Sequence, residues 1–229
     1  MGVNDDEINS GERLFAPKNK AFSALFGIVV ILLSLYSLFL MLFTFIPIEG
    51  ESMENTIVSG ERCFAQRTFF GVTRGDIVII NTAAKNEDEH IIVKRVIGTA
   101  GDKLLFMHSE NGKTVNLYIC RKGENKYTLL NEPYIKEKMV PNSLNEGHNN
   151  VFPDEKHQIS DYIEGIENAD ATNAGDEVIR FVSDFIIEVP EKSIFVLGDN
   201  RNVSKDSRSY GTFTLDQVTL KVLKIIKSR

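Results

Sequence analysis

Residues 193–211 read SIFVLGDNRNVSKDSRSYG. Ser193 to Leu197 form a short apolar run with β-branched and aromatic members, the pattern of a strand buried on both faces. Gly198-Asp199-Asn200 stops it. Two arginines, Arg201 and Arg208, and two aspartates, Asp199 and Asp206, then crowd into a short polar stretch. One reading is a surface loop with chance ion pairs worth ~0–1 kcal/mol each. The other is a hydrogen-bonded platform mounted on the end of a core strand.

The same strand-and-turn grammar recurs outward from there. Ile77-Val78-Ile79-Ile80 follows the turn Thr73-Arg74-Gly75-Asp76, and Ile91-Ile92-Val93 leads towards the turn at Ala100-Gly101-Asp102. Val218 to Ile226 (VTLKVLKII) predicts a last strand. The 229 residues suit one domain, or one with a small insert. With 42% hydrophobic and 25% charged residues, wholesale disorder is excluded. A net charge of −6 argues against a protein that grips nucleic acid through phosphates. Two cysteines exclude a disulfide-dense scaffold and leave no Cys cluster for structural zinc. Cys63 and Cys120 would pair only if the domain faces an oxidising space and brings them together, which sequence spacing does not reveal.

From Ala21 to Phe45 no residue is charged. As a helix this stretch would run ~37 Å, enough for a ~30 Å hydrocarbon core. It is too long for the apolar core of a cleaved signal, and Phe45-Ile46-Pro47-Ile48 offers no small-residue cut site. An uncleaved anchor is expected. Lys18 and Lys20 precede it, with Arg13 further off, while Glu49, Glu51 and Glu54 follow. The positive-inside bias then puts the amino terminus in the cytoplasm and residues 47–229 outside.

The middle of the chain, about 104–190, differs. Residues 154–177 hold eight acids against one base, Lys156, so the chain's acidity is local. A solvated insert is expected there, since the spacing fits no EF-hand.

Two further clusters carry chemistry. Ser52 lies in Gly50-Glu51-Ser52-Met53-Glu54-Asn55-Thr56, a few residues past the apolar span. Lys94 sits inside His90-Ile91-Ile92-Val93-Lys94-Arg95-Val96-Ile97-Gly98. Alternation puts Lys94 on the face of Ile92 and Val96, with Arg95 opposite. A solvated edge lysine is the ordinary reading of such a residue. Burial is the alternative, and it would disfavour the charged amine.

Taken together, these stretches resemble the bacterial type I signal peptidases. The Ser52 segment resembles that family's S-M-x-P-T-L box. Arg74 to Val78 resembles R-G-D-[IV]-V, and Val93 to Asp102 resembles K-R-V-I-G-L-P-G-D. Residues 198–211 match G-D-N-R-x-x-S-x-D-S-R-x-x-G at every fixed position, and Asn131 to Ile135 is similar to a shortened N-x-x-E-P-Y-I. The resemblance covers about 21–107 and 190–217. Asn55 stands where the family has Pro, Thr99-Ala100 replaces Leu-Pro, Asn202 replaces a common Asp, and Gly50 lacks the hydroxyl that some members carry there.

The resemblance implies a mainly β, signal-peptidase-like β-sheet catalytic domain with a β-rich insert and one N-terminal transmembrane helix. The expected boundaries are a cytoplasmic tail at 1–20, an anchor at 21–46, and an extracytoplasmic domain at 47–229 with its insert at about 104–190. It implies Ser52 as nucleophile and Lys94 as general base, a variant of triad logic. A free lysine of pKa ~10.4 is neutral in only about one molecule in 2,500 at pH 7, so an apolar setting is what the role requires. The Ser52 main-chain N–H is the implied oxyanion donor. Ser204 would hydrogen-bond and orient the base, Asp206 and Arg208 would form a supporting ion pair, and Asp199 would help anchor the platform. No metal or organic cofactor is implied. The implied partners are secretory preproteins with signal peptides, cut after small residues, and the lipid bilayer. A monomer without nucleic acid is expected. Phe69-Phe70-Gly71-Val72 reads either as a loop dipping into the bilayer interface or as core packing.

Three other readings fit less of the sequence. A self-cleaving repressor-type protease would carry a DNA-binding amino-terminal domain where the apolar span lies. A eukaryotic-type peptidase would use His in place of Lys, and His90 is four residues early. An inactive scaffold rests only on Asn55 and the insert.

Overall fold

The computed structural model describes residues 20–67, 71–83, 91–109, 113–140 and 186–227. His90, Phe69, Phe70, Lys18, Arg13 and the acidic 154–177 stretch lie outside the described residues.

The chain divides into two units, residues 1–44 and 45–229. In the first, helix α1 (Lys20–Leu42) is long and apolar enough to cross a membrane, and none of its residues is buried. It ends three residues before the expected Phe45. Phe43–Pro47 is instead extended as β1, where β-branched Thr44 and Ile46 favour a strand and Pro47 ends it. Phe45 stacks against Phe64, with ring centroids 5.0 Å apart.

The second unit is mainly β. Its strands are β2 (Arg62–Arg67), β3 (Ile77–Asn81), β4 (Ile91–Thr99), β5 (Lys103–His108), β6 (Val115–Cys120), β7 (Thr128–Leu129), β8 (Ile186–Glu188), β9 (Ser193–Leu197), β10 (Phe213–Thr214) and β11 (Val218–Ile226). They form a seven-stranded sheet in the order β1-β2-β11-β3-β4-β9-β10 and a four-stranded sheet in the order β7-β6-β5-β8. A four-residue helix, α2 (Ser207–Tyr210), follows the polar loop after β9.

Pairing is antiparallel throughout β2, β11, β3, β4, β9 and β10. Val78 lies opposite Lys94 and Ile80 opposite Ile92, so these four share one face. That face joins Val96, Val196, Ile194 and Phe213 in one core. The opposite face packs Ile77 and Ile79 against Met53, Ile57 and Cys63. A third core lies under the four-stranded sheet, where Ile97, Phe195 and Leu197 meet Leu104, Phe106 and Leu117. All five β9 residues are buried because both cores draw on that strand. Val72 packs against the first core, so the described end of the 69–72 stretch is core-facing.

Cys63 and Cys120 are both buried and unpaired. They sit on β2 and β6, in different sheets. Burial pushes both thiols up from the ordinary range, reinforced by the charges of Glu61 and Glu124 respectively.

Candidate active site

Ser52 is presented by a tight turn pinned from beneath. Met53 and Ile57 are fully buried, and the Thr56 and Ile57 N–H groups donate to Met53 O at 2.8 and 2.7 Å. Two apolar anchors four residues apart sink one side of the turn and leave Ser52 half-buried beside them. Gly50 enters the turn with φ +96°, a conformation that disfavours any side chain. A Ser or Thr oxyanion donor would therefore be strained there, although the space is open.

Lys94 is buried, at 3% exposure, on the face with Ile92 and Val96. The solvated-edge reading of this residue is thereby overturned: β4 is a central strand, with β3 on one side and β9 on the other. Lys94 Nζ lies 2.8 Å from Ser52 Oγ. That is within reach for direct proton transfer.

The loop after β9 docks onto the Ser52 turn. Asn200 N–H donates to Ser52 O at 3.0 Å, and Asn200 Nδ2 to Glu51 O at 3.2 Å. The approach needs glycine at 198, where a Cβ would fall 2.2 Å from Ser204 Oγ and 2.5 Å from Ser52 O. Behind this contact, Asp206 accepts from Gly198 N–H at 2.9 Å and from Arg208 Nε and NH2 at 2.8 and 2.9 Å. Arg208 NH2 also donates to Arg201 O and Ser204 O. Burial alone would raise the Asp206 carboxyl. The Arg208 charge, these hydrogen bonds and the Lys94 charge more than offset it and hold the carboxyl below the ordinary carboxylate range. The polar stretch is a built platform, not a surface loop with chance pairs.

Ser204 departs from expectation. Among the described residues its buried Oγ has no hydrogen-bond partner, so the expected bond to Lys94 is not made. The hydroxyl lies instead over the bare Cα of Gly198. Asp199 holds the loop from a different side than Asp206 does. Its carboxylate accepts from Arg95 Nε and NH2 at 2.8 and 2.6 Å and from the Thr56 hydroxyl.

Arg95, Tyr134, Glu132 and Arg201 extend this assembly. Arg95 NH1 also donates to Gly75 O at 2.9 Å, and its guanidinium lies 4.1 Å from the Tyr134 ring centroid, a cation–π geometry. Tyr134 donates to Glu132 at 2.8 Å, and Glu132 forms a two-point pair with buried Arg201. Burial and the Glu132 charge push the Tyr134 hydroxyl well up from its usual range. Arg95 is the charged residue on the β4 face opposite Lys94, and Glu132 and Tyr134 lie in the 131–135 segment that resembles the family's N-x-x-E-P-Y-I.

A serine hydroxyl within hydrogen-bond distance of a buried lysine amine, beside a polar platform, is an arrangement that a serine-class hydrolase can use. Residues 20–226 match the family model described as signal peptidase, peptidase S26, and the chain belongs to that family. It is 34% identical over 179 residues to a signal peptidase IB of Staphylococcus aureus, covering 76% of this chain and 73% of that protein. It is 32% identical over 210 residues to a signal peptidase I of Streptococcus pneumoniae, covering 87% and 90% respectively. A solved signal peptidase I from Enterococcus faecalis shares 21% identity, with a TM-score of 0.32, over 65% of this chain and 93% of that one. Removal of signal peptides by a serine endopeptidase is the activity of the family to which the chain belongs.

Proposed function

We propose that this chain cleaves preproteins with Ser52 as nucleophile and Lys94 as general base, while α1 anchors it in the membrane. The observation that carries the reading is the 2.8 Å separation of Ser52 Oγ from the amine of a buried lysine. Neutral Lys94 Nζ takes the Ser52 proton as Oγ attacks the scissile carbonyl. The resulting ammonium returns the proton to the leaving amine. Neutral Lys94 Nζ then takes a proton from water as the water attacks the ester carbonyl, and gives it to Ser52 Oγ as the ester bond breaks and the acyl product leaves. Lys94 is buried on the strand face it shares with Ile92 and Val96, a placement that supports its role as a base. The Ser52 main-chain N–H is the proposed donor to the developing oxyanion, since Gly50 supplies no side chain.

The reading extends to topology. The amino terminus is cytoplasmic and the β body, 47–229, faces outward as a monomer. Nine residues separate Leu42 from Ser52, and anchoring the chain in the membrane that holds its substrate raises the effective concentration of that substrate. No nucleic acid takes part.

Cleavage of a labelled preprotein by the detergent-solubilised full chain tests the chemistry. Ser52→Ala and Lys94→Ala are each expected to lower kcat by at least about 10³-fold while leaving thermal unfolding intact. Near-normal cleavage by Lys94→Ala would remove it as the base. Protease accessibility in sealed vesicles tests the orientation, and protection of the β body on the outward side would reverse it.

A further inference from the structure

The Ser52 turn and the 198–200 loop are joined by bonds running in both directions. The loop donates through Asn200 N–H to Ser52 O. The turn donates through Asn55 Nδ2 to Asp199 O at 2.8 Å, across 144 residues of chain. Asn55 is half-buried, three residues after Ser52. The resembled family has proline there, which stiffens a turn through its fixed φ and has no side-chain donor.

We propose that Asn55 is a positioning residue for the nucleophile. Its amide ties the far end of the Ser52 turn to the Asp199 backbone, so that Oγ stays in register with Lys94 Nζ. The inference rests on Ser52 acting as the nucleophile. Its geometric ground is a closed circuit. Ser52 O is held by residue 200, Asn55 by residue 199, and the intervening turn cannot rotate about either bond alone. Gly198, immediately before, permits the two backbones to meet. Thr56 adds a third tie, its hydroxyl donating to the Asp199 carboxylate. That carboxylate is already engaged by Arg95, so Thr56 responds to a side chain. Met53 Sδ accepts from the Asp199 N–H at 3.4 Å, a weak bond to sulfur, while Asn55 makes the turn's side-chain donation to the loop's main chain.

Substitution separates a hydrogen-bond role from a packing role. Asn55→Asp keeps the shape but replaces the N–H donor with a carboxylate oxygen facing a carbonyl. Asn55→Ala removes the tether without adding repulsion. With full-length chain in detergent and a fluorogenic signal-peptide substrate, Asn55→Ala is expected to lower kcat about tenfold with KM within about twofold. Asn55→Asp should fall further. Wild-type kcat in Asn55→Asp would overturn the proposal, because packing alone would then suffice.

A second readout does not need catalysis. The thiol introduced by Ser52→Cys should react with iodoacetamide several-fold more slowly when Asn55→Ala is added, with its pH midpoint moved upward, because the Lys94 amine is no longer held beside it. Cys63 and Cys120 are buried, and mass spectrometry assigns the alkylated site. An unchanged rate and midpoint would also overturn the proposal. The two readings fail differently. An active chain that Ser52→Ala does not silence removes the nucleophile and this inference together. A chain silenced by Ser52→Ala but indifferent at Asn55 removes this inference alone.

Discussion

Asp206 and Arg208 meet with both side chains at 0% exposure. Lys122 and Glu191, which join the end of β6 to the approach of β9, meet at 2.9 Å with 64% and 75% of their side chains exposed. The two pairs are almost equally close, yet their physics differs. Water screens the exposed pair and competes for its groups. The buried pair has lost its water, and its spare hydrogen-bonding capacity is filled by Gly198 N–H, Arg201 O and Ser204 O. An apolar replacement for both partners could fold as well, but loss of one partner strands a charge. Such a pair makes the loop's alternative conformations costly, and that is what a docking platform for Ser52 needs.

Removing one partner tests this contrast most severely. Arg208→Ala is expected to destabilise the β body by about 3–5 kcal/mol, read as a lowered urea midpoint. A midpoint within error of wild type would erase the distinction between the two regions. Gly198→Ala comes next. The added Cβ would collide with Ser204 and with Ser52 O, so a loss of about 1–3 kcal/mol is expected. The displaced turn should also lower kcat by about a hundredfold.

Acid sharpens the comparison without mutation. Because the folded Asp206 carboxyl titrates below its unfolded value of ~3.9, its contribution is fully present above that value and is lost as pH falls through the folded one. The urea-midpoint gap between wild type and Asp206→Asn should therefore be widest near neutrality and close in strong acid. A gap that is constant with pH would mean that charge is not what Asp206 supplies. The smallest effect belongs to Lys122→Ala, for which no measurable change in midpoint is expected. A loss matching that of Arg208→Ala would show that burial does not separate the pairs.

Much of the site was legible before any fold was known. Alternation along Ile91 to Gly98 separated the faces of Lys94 and Arg95, because strand side chains point to opposite sides with a period of two. The run Ser193 to Leu197 announced a buried strand, and the polar stretch beyond it offered the platform as one of two readings. Three departures from the family pattern were legible only as absences. Asn55 read as a missing proline, yet it makes a bond across the loop. Thr99 takes its place in the Asp102 turn, its N–H and hydroxyl both donating to Oδ2. Asn202 accepts from Val140 N–H and donates to Lys138 O, a two-way bond that an aspartate could not complete. In each case the partner lies on a segment whose proximity no local pattern encodes, except at Thr99, where the partner is three residues away.

The sequence by itself determined the strand faces, the turns, the apolar helix and the candidate nucleophile and base. The faces, turns and helix follow from local propensity and periodicity, while the nucleophile and base follow from the family resemblance of the motifs that hold Ser52 and Lys94. Tertiary structure alone decided that Lys94, 42 residues beyond Ser52, delivers its amine to 2.8 Å from the hydroxyl. It alone decided that Asp199 turns to Arg95 while Asp206 turns to Arg208, and that Ser204 Oγ finds no partner among the described residues. Those outcomes depend on the register of paired strands and on which backbones can approach at Gly198. Both are set by packing across the whole sheet, not by any single stretch of chain.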